Sequence, residues 1–258
     1  MATTSISFTE TPLLNLVLRR ADDALILGHR LSEWCGHAPM DEEDIALANI
    51  ALDLIGQARS LYDYAARIDD SGFTEDHFAY RRDEHQYRNC LLVEQPNGDF
   101  AATVVRQVLF SAFMDLYWRE TMKSRDETLA AIAAKAEKET AYHLRHSGEW
   151  LIRLGDGTDE SHARAQQALD ELWAYTGELF ETDETERAVI ESGVTPDVGS
   201  RQESWQKRIE PILREATLKI PSAPFMHTGG RGGRHSEHLG YILADLQYLQ
   251  RAHPEAVW

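Results

Sequence analysis

The sequence predicts an all-α fold, a four-helix bundle with additional C-terminal helices. Three observations predict it. Long stretches carry apolar residues at helical spacing, with no convincing strand alternation. Four of these stretches are long, and a crossover region separates them into two adjacent pairs. No low-complexity tract or solenoid repeat interrupts them, and the eight prolines mark boundaries.

The elements follow in order. A first helix covers residues 13–34, and CGHAPM breaks it. Asp41 and Asp44 supply acidic N-terminal signals for a second helix, which runs to about residue 68. A shorter helix spans about 75–92, and EQPNGD is the clearest turn. A third long helix covers 100–122. SRDE restarts the chain, and a fourth runs to residue 154, where Gly155 is a C-terminal stop. Further helices cover about 159–180, 184–192, 201–218 and 235–252. Residues 1–258 are expected to form one domain, with a bundle core at about 11–182 and a C-terminal extension at about 183–258.

The second and third long helices show more than one apolar stripe. In the second, Ile45, Ala48, Leu52, Ile55 and Tyr62 form one row, and Leu47, Ile50, Leu54, Leu61, Tyr64 and Ile68 another. An outer helix needs only one stripe, so the excess implies burial or a partner protein.

Bulk properties exclude several classes. The net charge of −17 argues against nucleic-acid binding, which needs basic patches. Two cysteines, Cys35 and Cys90, suit a reducing compartment rather than a disulfide framework. No signal-peptide pattern opens the chain, and no run is expected to reach the roughly 18 apolar residues of a membrane helix. A cytoplasmic protein is expected.

Carboxylate-bridged di-iron bundles take one Glu from each of two helices and a Glu-x-x-His from each of two others. Residues i and i+3 share a helix face, so both reach one centre. In ALDLIGQAR the ligand places fall on Leu54 and Gln57, with Asp53 in the acidic place before them. In KETAYHLRH they fall on Thr140 and His143, after Glu139. Leucine binds no iron, and neutral glutamine replaces imidazole poorly. The first helix offers Asp22 and Asp23 but no central Glu, and the third offers Arg106 and Gln107. At most one or two of the six ligands survive. No metal and no cofactor are therefore expected. Hydrogen bonds and an Arg–carboxylate pair should fill the vacated interior, drawn from Asp23, Asp53, Gln57, Arg106, Gln107 and His143.

A second stretch, HTGGRGGRHSEHLGYILADLQYLQ, joins a Gly-rich basic loop to a helix. Arg231 and Arg234 beside a helix N-terminus could bind an anion such as a CoA phosphate. The blander reading is a turn that packs closely against a partner. His235 and His238, at i and i+3, form at most half a metal site.

LSEWCGHAP, DIALANIALDLIGQAR, RDEHQYRNCLLVEQPNGDFA, EKETAYHLRHSGEWLIRLGDGTDES and TGGRGGRHSEHLGYILADLQYLQR resemble the non-catalytic, structural subunits of bacterial ring-1,2-phenylacetyl-CoA epoxidase across nearly the whole chain. That resemblance implies a ferritin-like fold. It implies pairing with a homologous di-iron catalytic subunit in a hetero-oligomer that holds two or more copies of each. It also implies a separate flavin and iron–sulfur reductase, and phenylacetyl-CoA as substrate of the whole complex. Two alternatives remain open. One is a metalloenzyme in which His143, Glu139, Asp53 and Asp23 converge; the other is a CoA-binding contribution from Arg231 and Arg234.

Overall fold

The computed structural model describes residues 5–222, 225–254 and 256. Among them the chain is helical with no strand, consistent with a ferritin-like bundle. The bundle helices are α1 (Pro12–Ser32), α2 (Asp41–Asp69), α5 (Phe100–Thr121) and α6 (Glu127–Gly155). Two short helices, α3 (Glu75–Tyr80) and α4 (Leu91–Glu94), lie in the crossover; α7 (Asp159–Trp173), α8 (Glu184–Glu191), α9 (Gln202–Glu215) and α10 (Glu237–Ala252) follow the bundle.

Local chemistry sets the starts of the bundle helices. Thr11 caps α1 through the Leu14 N–H, with Pro12 in the first turn, where its missing N–H costs nothing. Asp99 and Asp126 cap α5 and α6 in the same way, through Ala102 and Leu129. Met40 offers no such cap to α2, whose first turn instead holds Asp41, Glu42, Glu43 and Asp44 against the positive helix end. α1 packs chiefly on α2, and α5 on α6; α2 also meets α6. A single apolar cluster runs through the bundle and takes in Trp205, Ile209 and Leu213 of α9 and Leu239 of α10.

Several expectations need correction. The helices buried nearly all round are α1 and α5, whereas α2 buries one face and leaves Ile45 and Leu52 exposed. α1 is enclosed because α8 and α4 also cover it, so Arg19, Arg20, Asp22 and Asp23 are buried with its apolar residues. One helix, α5, does reach the length and apolarity of a membrane span, with mean hydropathy 1.2; 83% of that window is covered by the rest of the bundle. The expected helix at 75–92 is broken between Tyr80 and Leu91. There the backbone N–H groups of Arg88, Cys90 and Leu91 bond to Asp22, Asp23 and Glu178, at 2.6, 2.8 and 2.7 Å, rather than to carbonyls one turn back. The helix expected at 159–180 likewise stops at Trp173 and resumes as a 3-10 turn, Gly177–Phe180. Pro211 does not end α9; it sits on the exposed side of that helix.

Candidate functional site

The four tetrad places of the sequence lie between α2 and α6. Leu54, Gln57, Thr140 and His143 are all buried. Gln57 Nε2 donates to Glu139 Oε2 at 2.9 Å. His143 Nε2 lies 3.0 Å from Asp53 Oδ2. The two acidic residues beside the tetrads thus hold Gln57 and His143, the polar residues at the i+3 place of each tetrad. One turn on, His146 Nε2 meets Glu43 Oε2 at 2.9 Å, and the Tyr142 ring lies against both imidazoles. Of the four ligand places, only His143 carries an iron-binding side chain, and it is spent on Asp53. The donor set therefore does not fit a di-iron cluster. Among the described residues no group of three or more His, Cys, Asp or Glu side chains is placed to hold a metal.

The expected hydrogen bonds are present, but the Arg–carboxylate pair is not in this place. Arg106 lies too near the start of α5. It donates to the Gln95 carbonyl and to Asn97 Oδ1 in the turn before that helix. Burial, together with the nearby Arg30 charge, pulls its guanidinium down to about 9. Gln107 donates to Ser111 Oγ at 2.8 Å. Asp23 does not converge with His143, Glu139 and Asp53, because its partners lie on the other side of α1.

That side holds a buried ionic network. Arg82 and Asp22 are fully buried and form an ion pair. Arg82 also donates to the carbonyls of Phe78 and Gln86, at 2.7 and 2.9 Å. Asp23 Oδ1 accepts from Arg231 at 2.8 Å, and Arg20 approaches its other oxygen at 3.4 Å. Arg20 also bonds Glu186 of α8 at 2.8 Å. Burial alone would lower the Arg231 guanidinium, but the Asp23 charge overrides it and raises it. Burial, then Asp23, push the Cys90 thiol far up, so it stays protonated and inert. Cys35 is exposed, and neither cysteine is in a disulfide.

The Gly-rich loop packs against its own chain. A Cβ on Gly230 would lie 2.4 Å from the Asn89 carbonyl oxygen, and one on Gly233 would lie 2.2 Å from that of His85. Gly233 also has φ of 79°, which favours glycine. The loop thus clasps residues 85–91 of the crossover, where the blander reading expected a partner. Arg231 is buried and also donates to the Arg88 carbonyl at 3.0 Å; Arg234 is exposed. The two arginines therefore do not form one anion site. The start of α10 does bind an anion, but it is internal: Glu94 Oε1 accepts the Ser236 N–H at 2.6 Å. His235 places Nδ1 2.9 Å from Glu94 Oε2 and Nε2 3.0 Å from the Tyr87 carbonyl. Both neighbours are acceptors, so the ring is an imidazolium. Burial would lower its pKa, but Glu94 outweighs burial and raises it. With both nitrogens used, His235 is no metal ligand beside His238.

Glu94 and Glu178 organise this region, and sequence reasoning passed over both. Glu178 Oε1 accepts from the backbone of Gly229 and Arg231, at 3.0 and 3.1 Å, while its other oxygen accepts from Leu91. An acidic residue closing the apolar run LLVE was the available signal for Glu94.

The chain has relatives among known proteins. A family model described as phenylacetic acid catabolic protein matches residues 1–258. One subunit of the 1,2-phenylacetyl-CoA epoxidase of Escherichia coli (strain K12) is 50% identical over 241 residues, covering 93% of this chain and 97% of that protein.

Proposed function

The chain belongs to the phenylacetic acid catabolic protein family, and from that premise we propose that it is the structural, non-catalytic subunit of a phenylacetyl-CoA 1,2-epoxidase. In this reading it pairs with a homologous di-iron catalytic subunit and keeps it competent for oxygen insertion during aerobic phenylacetate breakdown. A flavin and iron–sulfur reductase supplies electrons to the complex, which works in the cytoplasm. The observation that carries the reading is the ligand set itself. Leucine, glutamine and threonine stand at three of the four tetrad places, and the remaining histidine is hydrogen-bonded to Asp53.

Two further observations support it. The bundle keeps its packing after losing the ligands, because Asp53 and Glu139 satisfy the polar residues left inside. Apolar side chains also remain uncovered on α2 and on α10, as an assembly component requires. The CoA-ester alternative now rests on Arg234 alone, since Arg231 neutralises Asp23.

The test is purification of the chain with and without its catalytic partner, followed by iron analysis and native mass. The expected result is co-elution with the partner, iron only in the complex, and the same metal content in His143→Ala as in the parent. Stoichiometric iron and a di-iron absorption band in the isolated chain would overturn the proposal.

A further inference from the structure

A cleft of about 100 Å3 opens where α3 packs on α2. Its floor is apolar: Leu25 of α1, Ile55 and Ala58 of α2, and Ala79 of α3. Leu25, Ala58 and Ala79 are buried, so the cleft reaches the edge of the core. The Tyr62 and Tyr80 rings line it as well. The Tyr62 hydroxyl donates to Asp22, which does not line the cleft. The floor therefore offers no free hydroxyl, amide or charge to a water molecule, which needs about two to four polar partners.

The mouth of the cleft is charged. Arg59 Nε lies 3.5 Å from Glu75 Oε1, and Asp76 stands beside them. The Arg59 side chain is 75% exposed and that of Glu75 30%, so their ion pair closes the mouth only weakly. With two carboxylates to one guanidinium, the mouth is net negative.

We propose that this cleft binds a single neutral aromatic ring bearing a hydroxyl group, a small phenol. An enclosed apolar cavity of roughly 150 Å3 takes up benzene. A somewhat smaller cleft with an open mouth holds such a ring with its substituted edge outward. Ring contacts with Tyr62 and Tyr80 favour an aromatic molecule over an alkyl chain of equal area. At the mouth the phenol O–H donates to the carboxylate of Glu75 or Asp76, a charge-assisted bond. A ring that carries its own carboxylate meets both acids and is repelled, so aromatic acids, phenylacetate among them, are poor ligands. The bound ring ties α3 to α2 beside Tyr62, the partner of the buried Asp22–Arg82 pair, and so stabilises the crossover.

Titration of the full chain with phenol, followed by amide NMR shifts at neutral pH, tests the proposal. One saturable site is expected, with a Kd of about 0.1–1 mM and shifts confined to residues around 55–62 and 75–80. Phenylacetate should bind at least about tenfold more weakly. Ala79→Leu fills the cleft and should raise the Kd for phenol about tenfold or more. Tyr80→Leu should raise it about threefold; its side chain is half-buried, so it decides the matter if circular dichroism shows that Ala79→Leu does not fold. Glu75→Gln combined with Asp76→Asn should bring phenylacetate to within about threefold of phenol. No saturation below about 10 mM phenol, or a Kd indifferent to these cleft variants, would overturn the site. Phenylacetate binding as tightly as phenol would overturn the ligand class. The readout involves neither iron nor a partner subunit, so its failure leaves the structural-subunit assignment, read from iron and co-elution, untouched.

Discussion

Replacing Asp22 with Asn should cost about 3–5 kcal/mol of folding stability. Asp22 and Arg82 are both fully buried. Asp22 accepts from Arg82 through both oxygens, from the Tyr62 hydroxyl and from the Arg88 backbone N–H. Burial acts to lower the Arg82 guanidinium, and the Asp22 charge more than reverses this. Asn leaves Arg82 charged, desolvated and without a counter-ion. Breaking a buried pair from one side typically costs about 3–5 kcal/mol, because the surviving charge is stranded. In a chain of this size that corresponds to a fall in Tm of roughly 6–20 °C. Urea unfolding of Asp22→Asn, Arg82→Met and the double variant should give a coupling energy of about 1–3 kcal/mol, since the double variant no longer holds a lone charge. A cost for Asp22→Asn below about 1 kcal/mol, or a coupling under about 0.5 kcal/mol, would refute the reasoning that Arg82 depends on Asp22 as its buried counter-ion.

Other outcomes follow from the same geometry. Arg231→Met should destabilise by about 3 kcal/mol or more, because Asp23 loses its closest counter-ion, while Arg234→Gln should change stability by less than about 0.5 kcal/mol; thermal melts separate the two. If Arg234→Gln also leaves the complex's KM for phenylacetyl-CoA unaltered, the loop has no CoA role. Gly155→Ala should cost about 1–3 kcal/mol, since its Cβ would lie 2.1 Å from the Ala216 carbonyl oxygen; Gly232→Ala, with nothing near, is the neutral control in the same melts. The His235 pKa is raised above its ordinary 6.5, so its pairing with Glu94 stabilises fully below that value. This contribution is lost as pH rises through the folded-state value. The stability difference between wild type and His235→Gln should therefore be largest below pH 6.5 and shrink as the pH rises above it, measured by urea titration.

The helical elements were legible because capping and periodicity are local. Asp99 and Asp126 stand where their caps form, and the four bundle helices end within a few residues of the expected places. The candidate site was half legible. Leu54 and Gln57 show in the sequence that these two places carry no iron-binding side chain, but Asp53 and Glu139 were named only as neighbours and not as hydrogen-bond partners. Asp53 and Glu139 are partners because α2 and α6 run antiparallel, which places residue 53 beside 143 and residue 57 beside 139. The broken helix at 75–92 was illegible for the same reason. Its amide partners, Asp22, Asp23 and Glu178, lie more than 60 residues away along the chain.

By itself the sequence determined an all-helical chain and which side chains stand at the four tetrad places, since both depend on residue type at short spacing. Only the tertiary structure decided which charges are buried, and that Arg231 is a counter-ion while Arg234 faces water. Burial and ion pairing arise between segments far apart in the chain, and the energy of a charge depends on what surrounds it in space.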